Sequence, residues 1–401
     1  MIDNQKREPL IAQVKQGMPL QERRLVSNSS RNGFTFCPRS FQLGQVVGLR
    51  RRQSPLPLTA GSMIHRCLEL YYSGSNLPAI IDVIEDWRKE QIKLLASLSE
   101  PQYDEARINE TAAVADDVIA RYITTYGYDD RQRYEVLAIE APFVVPMPQP
   151  YKGGFRVDPD YAYTGVFDLV LRDTHSGNVV VMDHKTTAFG DLLDFERDVN
   201  TMGNGQRVGY IYAARFFWPG ASTLVYNVLR KRIPSRPGTV QCRRCKGKGE
   251  KDGVTCNWCS GLGKAGLSKT VPDTTPTEFV TQVADLKACN PDFDDGLAAD
   301  HLAAIRKKGA RYLYRFGLGV PDDEVTRWCT DIYEIARAMG RGIKYDRWPR
   351  NLGACSVNGR RCTFLPVCHH GWEGNDNFEL AQRHPFRPHE AVVDDVDTVP
   401  F

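Results

Sequence analysis

The sequence predicts an α/β (α+β) fold in which helices flank a central mixed β-sheet. The chain has 401 residues, of which 42% are hydrophobic, enough for one large or two moderate packed cores. Helical apolar spacing dominates residues 61–126, whereas residues 134–232 run in the order strand, strand, strand, helix, strand. A helix inserted among strands favours a sheet of mixed direction with helices packed against it.

The predicted elements follow in this order along the chain. Helices are predicted over 61–72, within 77–126, and over 205–217, 275–288, 300–316 and 322–340. Strands are predicted over 134–145, 165–172, 178–183 and 222–232, with "DTHSGN" as the turn between the second and the third. These elements define an irregular N-terminal segment (1–60), a helical region (61–133), a core (134–232), a cysteine-rich insertion (242–263), a helical C-terminal region (270–372) and a flexible acidic tail (380–401).

Positive charge is concentrated in one part of the chain, although the formal net charge is only +3. Segment 230–251 contains nine Lys or Arg residues and one Glu. Such a run fits contact with a polyanion such as nucleic acid, and it also fits a solvated surface. The candidate DNA-binding residues in it are Arg230, Lys231, Arg232, Arg243, Arg244, Lys246 and Lys248.

Membrane association is not expected. The N-terminal residues "MIDNQKREPL" lack the apolar region of a signal peptide, and no stretch approaches the ~18 apolar residues of a membrane span. We therefore expect a cytoplasmic protein without a membrane partner, in which the eleven cysteines do not form disulfides.

The segment "GVFDLVLRDTHSGNVVVMDHKTT" (165–187) carries three charged residues within two apolar strands. Asp183 and Lys185 are two residues apart, so they project from the same strand face, and Asp168 lies on the preceding strand. Two carboxylates at one place suit Mg²⁺, and a lysine beside the metal suits phosphodiester hydrolysis. A structural Asp–Lys pair on an exposed strand face is the alternative.

Two further motifs lie on predicted helices. "GSMIHRCLE" contains His65, and "QRVGY" places Gln206 and Tyr210 one turn apart on one helix face. Together with Asp168 and "DHK" at 183–185, they resemble the PD-(D/E)XK nuclease superfamily, most closely its RecB-like and CRISPR-associated iron–sulfur exonuclease branch. The resemblance extends over roughly residues 33–372 without the cysteine-rich insertion, and it implies a restriction-endonuclease-like core with a mixed sheet.

The resemblance implies a metal site. Mg²⁺ or Mn²⁺ would be held by His65, Asp168 and Asp183, with the backbone carbonyl of His184 as an extra ligand. Glu140, at the end of the first strand, matches a common acidic position of the branch without a definite role.

The resemblance also implies roles for the remaining site residues and a function. Lys185 would assist the attacking water, Gln206 would position the active site, and Tyr210 would contact DNA or buttress the site. The function implied is a metal-dependent deoxyribonuclease, an exonuclease on single-stranded DNA or DNA ends, in recombination, repair or DNA processing. The alternatives are a catalytically silent module that binds DNA ends or partners, and a structural protein held by two metal sites.

One group of cysteines consists of one residue near the beginning of the sequence and three near its end. Cys37 lies in "FTFCPRSFQL", and Cys355, Cys362 and Cys368 lie in "CSVNGRRCTFLPVC". Four thiolates bind either zinc or an iron–sulfur cluster. The arrangement resembles the iron–sulfur staple of the same exonuclease branch, and this resemblance favours a [4Fe–4S] cluster.

The second group lies within the insertion. "CRRCKGKG" and "CNWCSGLG" each combine Cys-x-x-Cys with Gly-x-Gly, a spacing that predicts a structural zinc site. The pair resembles the zinc-binding repeats of DnaJ-type chaperones. Contact with the DNA backbone and docking of a protein remain open as its role. The zinc ligands would be Cys242, Cys245, Cys256 and Cys259.

The last residues, "DDVDTVPF", resemble the acidic C-terminal tip of bacterial single-stranded-DNA-binding proteins. In that family the tip docks into basic pockets of partner proteins, so the resemblance implies a contact with replication or recombination proteins. A solvated tail and a tip that folds back onto the basic insertion are the alternatives.

Overall fold

The computed structural model describes residues 4–380, apart from 15–17, 53–54, 99–100, 102, 189–191, 203–204, 258, 260, 262, 289–292, 310, 358–359 and 372–377. The described chain divides into two compact units. The first contains the chain up to His184, Val199–Asn227 and the part from Phe316 onwards, and the second contains Lys185–Asp198 and Val228–Arg315.

The helices agree largely with the predicted ones. The α-helices are α1 (Asn28–Phe36), α2 (Pro38–Phe41), α3 (Leu56–Tyr72), α4 (Leu77–Ser97), α5 (Glu105–Tyr122), α6 (Tyr128–Arg133), α7 (Leu192–Met202), α8 (Gly205–Ala214), α9 (Pro276–Ala288), α10 (Asp295–Lys307), α11 (Asp322–Tyr345) and α12 (Leu365–His370). Turns of 3₁₀ helix cover Asn4–Arg7, Leu20–Glu22 and Leu352–Cys355, and π-helical turns cover Gln42–Val46 and Ile123–Gly127.

The strands confirm a central mixed sheet. They are β1 (Leu10–Ile11), β2 (Arg24–Ser27), β3 (Leu49–Arg51), β4 (Tyr134–Tyr151), β5 (Gly154–Asp173), β6 (Val179–Thr187), β7 (Thr223–Arg230), β8 (Thr239–Gln241), β9 (Glu250–Lys251), β10 (Val254–Thr255), β11 (Lys264–Leu267), β12 (Leu313–Gly319), β13 (Ser356–Val357), β14 (Arg360–Arg361) and β15 (Phe378–Leu380). The main sheet has the order β1-β4-β5-β6-β7-β12, with β2 also paired to β5. β4–β5 and β5–β6 are antiparallel, whereas β1–β4 and β2–β5 are parallel.

Helix α3 presents one side of its surface to the core. The buried side chains are each at most 4% exposed and belong to Met63, Ile64, Cys67 and Leu68. They form two adjacent pairs four residues apart, which is the spacing of the apolar stripe on a packed helix. His65 borders this stripe, and its side chain is 29% exposed. The sequence therefore places an imidazole at the edge of the packed face.

Helix α8 approaches the sheet closely because of its glycine. A Cβ at Gly209 would lie 2.3 Å from the Tyr163 hydroxyl oxygen and 2.8 Å from Cζ2 of Trp328. Gly165 on β5 has a similar role, since a Cβ there would lie 2.7 Å from the Phe143 ring. The absence of a side chain at both positions lets α8 pack on the aromatic core of the first unit.

Two sequence predictions differ from the structure. The helix predicted over 300–316 ends at Lys307, and β12 begins at Leu313. Gly309 has a φ of +67°, a conformation that ends helices. The N-terminal segment, expected to be irregular, contains α1 and α2; Ser27 caps α1 by accepting from the backbone N–H of Ser30 at 3.1 Å.

Two further expectations concern the C-terminal tail and the absence of membrane-spanning helices. The C-terminal tip "DDVDTVPF" and the acidic tail from residue 381 lie outside the described residues. Among the described helices, none has the length and apolar character needed to cross a membrane.

Candidate functional site

Three carboxylates lie at the same level on three neighbouring strands. The pairs Ile139–Leu169 and Ala141–Phe167 flank Glu140 on β4 and Asp168 on β5, so these two acids stand opposite each other. Asp168 and Asp183 in turn adjoin the Leu169–Met182 pair of β5 and β6. We call Glu140, Asp168 and Asp183 the carboxylate row. Like charges at directly opposite positions destabilise a sheet, so the row favours a cation.

His65 completes a set of metal ligands at this row. Its Nδ1 lies 3.6 Å from Oδ2 of Asp168. One ligand atom from each of His65, Glu140 and Asp168 lies within 4.8 Å of the others. Carboxylate oxygens with one imidazole nitrogen suit a divalent cation such as Mg²⁺ or Mn²⁺. His65, Glu140 and Asp168 therefore form a donor set that fits such a cation. Asp183, which the sequence also predicts as a ligand, stands opposite Asp168 in the strand register but does not belong to this group of three.

Glu140 is under backbone and electrostatic strain. Its φ is +42°, a conformation uncommon for any residue except glycine. Burial, followed by the charges of Asp168, Glu69 and Asp183, raises its pKa to about 9 against the lowering effect of Arg66. Strain of both kinds at one residue is characteristic of functional sites. The sequence named Glu140 without a definite role, and the structure places it among the possible ligands.

Asp183 is held by the helix that contains the Gln-x-x-x-Tyr motif. The residue is 1% exposed, and its Oδ1 accepts a hydrogen bond of 3.3 Å from Nε2 of Gln206 on α8. The backbone N–H of His184 donates to Oδ2 of Asp168 at 2.8 Å. Gln206 thus holds the carboxylate of Asp183, and the backbone of β6 at His184 holds that of Asp168.

Lys185 follows Asp183 by two residues on β6, which places both side chains on one strand face. The motif Asp-x-Lys is continuous along β6, although the division between the two units falls between His184 and Lys185.

The ring of His184 lies in a buried polar network that no sequence motif indicates. It is 3% exposed and stacks on the ring of Tyr72 at a centroid distance of 6.1 Å. Nδ2 of Asn227 lies 3.2 Å from Nδ1 of His184 and donates to the Tyr122 hydroxyl at 3.0 Å. The hydroxyl of Tyr72 contacts that of Tyr122 at 2.6 Å and donates to Asp130 at 2.6 Å. This network fixes the residue between Asp183 and Lys185.

Tyr210 is a packing residue. It is 8% exposed, and its ring meets those of Phe143 and Phe167 edge to face at 5.8 and 5.7 Å. Burial and the charges of Asp183 and Asp168 raise its pKa well above the usual value, against a hydrogen bond from Gln206. Of the two roles implied by the sequence, contact with DNA or support of the site, this geometry fits support.

The comparison with protein families agrees with this arrangement. Residues 25–369 match the PD-(D/E)XK nuclease superfamily. The chain belongs to this superfamily. Its members are nucleases that use divalent metal ions, which assigns the hydrolase class and agrees with the donor set around Asp168. No curated protein matches the sequence.

The nuclease also contains a compact four-cysteine site in its second unit. The site consists of four buried residues, Cys242, Cys245, Cys256 and Cys259. Their sulfur atoms all lie within 4.8 Å of one another. The sulfur atoms of Cys245 and Cys259 are 3.6 Å apart. Burial opposes the thiolate of Cys245, but hydrogen bonds from the backbone of Gly249 and from neighbouring thiols lower its pKa to about 7. Four sulfur atoms at these distances fit the tetrahedral coordination of one metal ion.

The glycines that follow each Cys-x-x-Cys pair shape this site. Gly249 has a φ of +76°, and a Cβ there would lie 2.3 Å from the carbonyl oxygen of Gly261. A Cβ at Gly263 would lie 2.4 Å from the carbonyl oxygen of Gly247. The two loops therefore cross at glycines, which explains the Gly-x-Gly element of the motif.

The other four cysteines line one cavity of the first unit, together with Phe364 and His369. Cys37 is 8% exposed, and its sulfur accepts a contact of 3.5 Å from the backbone N–H of Asn351. Among the described residues, these sulfurs do not form a group within 4.8 Å, unlike those of the zinc candidate. The residues of this set are Cys37, Cys355, Cys362 and Cys368.

The candidate DNA-binding residues differ in exposure. Arg230 is 3% exposed, and its guanidinium donates two hydrogen bonds, one to each carboxylate oxygen of Asp273. It is therefore engaged within the protein and does not face solvent. Burial lowers the pKa of Lys231. The exposed candidates are Arg232, Arg243, Arg244, Lys246 and Lys248.

Proposed function

We propose that the protein is a metal-dependent DNA nuclease of the RecB-like branch that hydrolyses phosphodiester bonds as an exonuclease on single-stranded DNA or DNA ends. The supporting observation is the carboxylate row, with the imidazole of His65 close to Asp168. Lys185 follows Asp183 on strand β6. A catalytically silent module would have no need for this complete set.

Each residue of the site has a defined task in this proposal. His65, Glu140, Asp168 and Asp183, with the backbone carbonyl of His184, would hold Mg²⁺ or Mn²⁺, and the bound ion would supply Lewis-acid activation of a water and of a phosphoryl oxygen. Lys185 orients the attacking water and stabilises the negative charge that develops on phosphorus oxygens.

Gln206 and Tyr210 act through other residues. Gln206 donates to Asp183 and so keeps that carboxylate in the row. Tyr210 supports the strand that carries Asp168 through its contact with Phe167. Both are positioning residues.

We further propose that the two cysteine sets hold different metals. Cys37, Cys355, Cys362 and Cys368, which line one cavity, would hold a [4Fe–4S] cluster, as the resemblance to the exonuclease branch implies, and the compact set in the insertion would hold Zn²⁺. Anomalous scattering at the iron and zinc edges distinguishes them. An iron signal is expected only at the first set, and a zinc signal there would refute the cluster.

Partners follow from the chemistry of the proposal. DNA is the substrate, and the exposed basic residues of segment 232–248 contact its backbone. The C-terminal tip would bind replication or recombination proteins through its terminal Pro-Phe, as its resemblance implies.

The decisive experiment is digestion of end-labelled single- and double-stranded linear DNA with Mg²⁺ or Mn²⁺. Asp183→Asn and Lys185→Ala should reduce cleavage by at least about 10²-fold, in the range typical of removing a catalytic group. Asp160→Asn and Lys152→Ala change exposed residues of the first unit and serve as matched controls. Undiminished cleavage by Asp183→Asn would place the active site elsewhere, and no cleavage by the unaltered protein would favour the silent binding module.

A further inference from the structure

The second unit carries the positive charge of the molecule. By sequence its two segments, Lys185–Asp198 and Val228–Arg315, contain 19 Lys or Arg and 13 Asp or Glu residues, a formal charge of +6. The whole chain has a formal charge of only +3, so the remainder is net negative. This asymmetry suits binding of a polyanion by the second unit.

Three arginines of this unit converge on one carboxylate. Arg230 binds Asp273 through two hydrogen bonds of 3.1 and 2.9 Å. Nη1 of Arg311 lies 3.2 Å from Oδ1 of Asp273, and Nη1 of Arg232 lies 3.4 Å from Oδ2. One negative charge is thus shared by three positive charges, which leaves an excess of two.

The inner part of this cluster is rigid. The guanidinium of Arg230 lies over the ring of Tyr312 at 5.1 Å, and the Tyr312 hydroxyl donates to the backbone carbonyl of Asp273 at 2.6 Å. Burial opposes ionisation of Asp273, but the arginines outweigh it and lower the pKa of its carboxyl. The carboxylate therefore stays ionised and anchors the arginines in a fixed arrangement.

One further hydrogen-bond donor at the cluster is not used within the described residues. Nε of Arg230, a residue 3% exposed, makes no hydrogen bond there. The outer arginines are accessible, since the side chains of Arg232 and Arg311 are 54% and 22% exposed. Guanidinium forks bind phosphate oxygens in pairs. The cluster thus combines excess charge, a fixed frame and an open side.

We propose that Arg232 and Arg311, held by the Arg230–Asp273 pair, bind an internucleotide phosphate of the DNA substrate. The proposal rests on the proposed nuclease function for the identity of the polyanion. It adds a defined phosphate site in the second unit, in which Asp273 acts as an internal counter-ion and Arg230 as a positioning residue.

The test measures binding of a labelled oligonucleotide by the full chain without added Mg²⁺ or Mn²⁺, over a range of salt concentrations. Arg232→Ala/Arg311→Ala should weaken binding about tenfold and reduce the slope of log affinity against log salt by about 1, since one phosphate contact is lost. Arg232→Lys/Arg311→Lys keeps the charge without the fork, so the slope should remain while affinity falls by a smaller factor. Lys89→Ala/Lys287→Ala removes the same charge at exposed positions and should leave both quantities nearly unchanged.

A second arm identifies the phosphate as the ligand. Replacing the linkages of the oligonucleotide by neutral methylphosphonates should cost the unaltered protein more affinity than it costs Arg232→Ala/Arg311→Ala. Equal losses would overturn the site, as would wild-type affinity and slope in the alanine variant, or an equal effect of the Lys89/Lys287 control. Hydrolysis of a small phosphodiester with Mn²⁺ reports the active site separately, so a failure of the nuclease proposal is distinguished from a failure of the phosphate site.

Discussion

Replacement of Glu140 by Gln tests the carboxylate row. Burial and the neighbouring carboxylates raise the pKa of Glu140 from 4.5 to about 9. Between these pH values the native metal-free protein keeps a proton on Glu140 that the unfolded chain has released. A native state that binds more protons than the unfolded state loses stability as the pH rises. The stability associated with the protonated carboxyl is therefore complete below about pH 4.5 and lost as the pH rises through about 9.

The size of the effect follows from the linkage relation. A difference of one proton changes the free energy of unfolding by about 1.4 kcal/mol per pH unit, so a rise from about pH 5 to about pH 8 should cost about 4 kcal/mol. Glu140→Gln has no proton to release and should not lose this amount. Mn²⁺ displaces the proton, so its addition should stabilise the unaltered protein more at about pH 8 than at about pH 6.

The assay is denaturant unfolding at several pH values of protein without Mg²⁺ or Mn²⁺, prepared with Zn²⁺ so that the four-cysteine site stays occupied. The quantity compared is the slope of unfolding free energy against pH for the unaltered protein and for Glu140→Gln. Glu135→Gln is the matched control, since Glu135 lies on the same strand and is 52% exposed in an ion pair with Arg172. Equal slopes for the unaltered protein and Glu140→Gln would refute the reasoning.

Three further predictions concern the supports of the site. Tyr210→Phe should keep most of the cleavage activity in a DNA digestion assay, because the ring contacts with Phe143 and Phe167 remain. Tyr210→Ala should lower the free energy of unfolding by about 3–5 kcal/mol, which thermal melting checks. Gly209→Ala should cost about 1–3 kcal/mol because its Cβ meets Tyr163 and Trp328, and an unchanged melting temperature would contradict the close approach. Cys256→Ser or a chelator should make residues 239–267 sensitive to protease, because a bound metal ion would supply about 10 kcal/mol or more to a segment with little core. Persistent protection would show that the segment folds without metal.

The sequence predicted those parts of the site whose geometry is local. The zinc candidate was predicted completely because its four thiols belong to two adjacent turns, and the structure confirms a four-cysteine site. Asp168 and Asp183 were indicated because an acid in an apolar strand has no structural reason to be there. Strand alternation then sufficed to place Lys185 on the same face as Asp183.

The other parts depend on register and tertiary contacts. The position of Glu140 opposite Asp168 follows from the β4–β5 register, which contains an irregularity between Val136 and Ala138. A shift of one residue there would turn Glu140 to the opposite face, and no local pattern reveals such a shift. Asn227 is likewise separated from His184 by 43 residues, with no spacing that indicates their contact. The strand over 313–319 replaced part of a predicted helix because the edge of the sheet supplied a partner for it.

The contacts between the beginning and the end of the described chain have a consequence for synthesis on the ribosome. Asn351 bonds to Cys37 across 314 residues, and Gln42 bonds to Asp346 across 304 residues. Neither contact can form until almost the whole of the first unit has left the ribosomal tunnel, so the segment around α1 must wait while later strands are made. Long-range closure of this kind is slow because loop entropy opposes it. A chain truncated shortly before residue 346 lacks both partners, so its segment around α1 should be cleaved by proteases faster than that of the full chain.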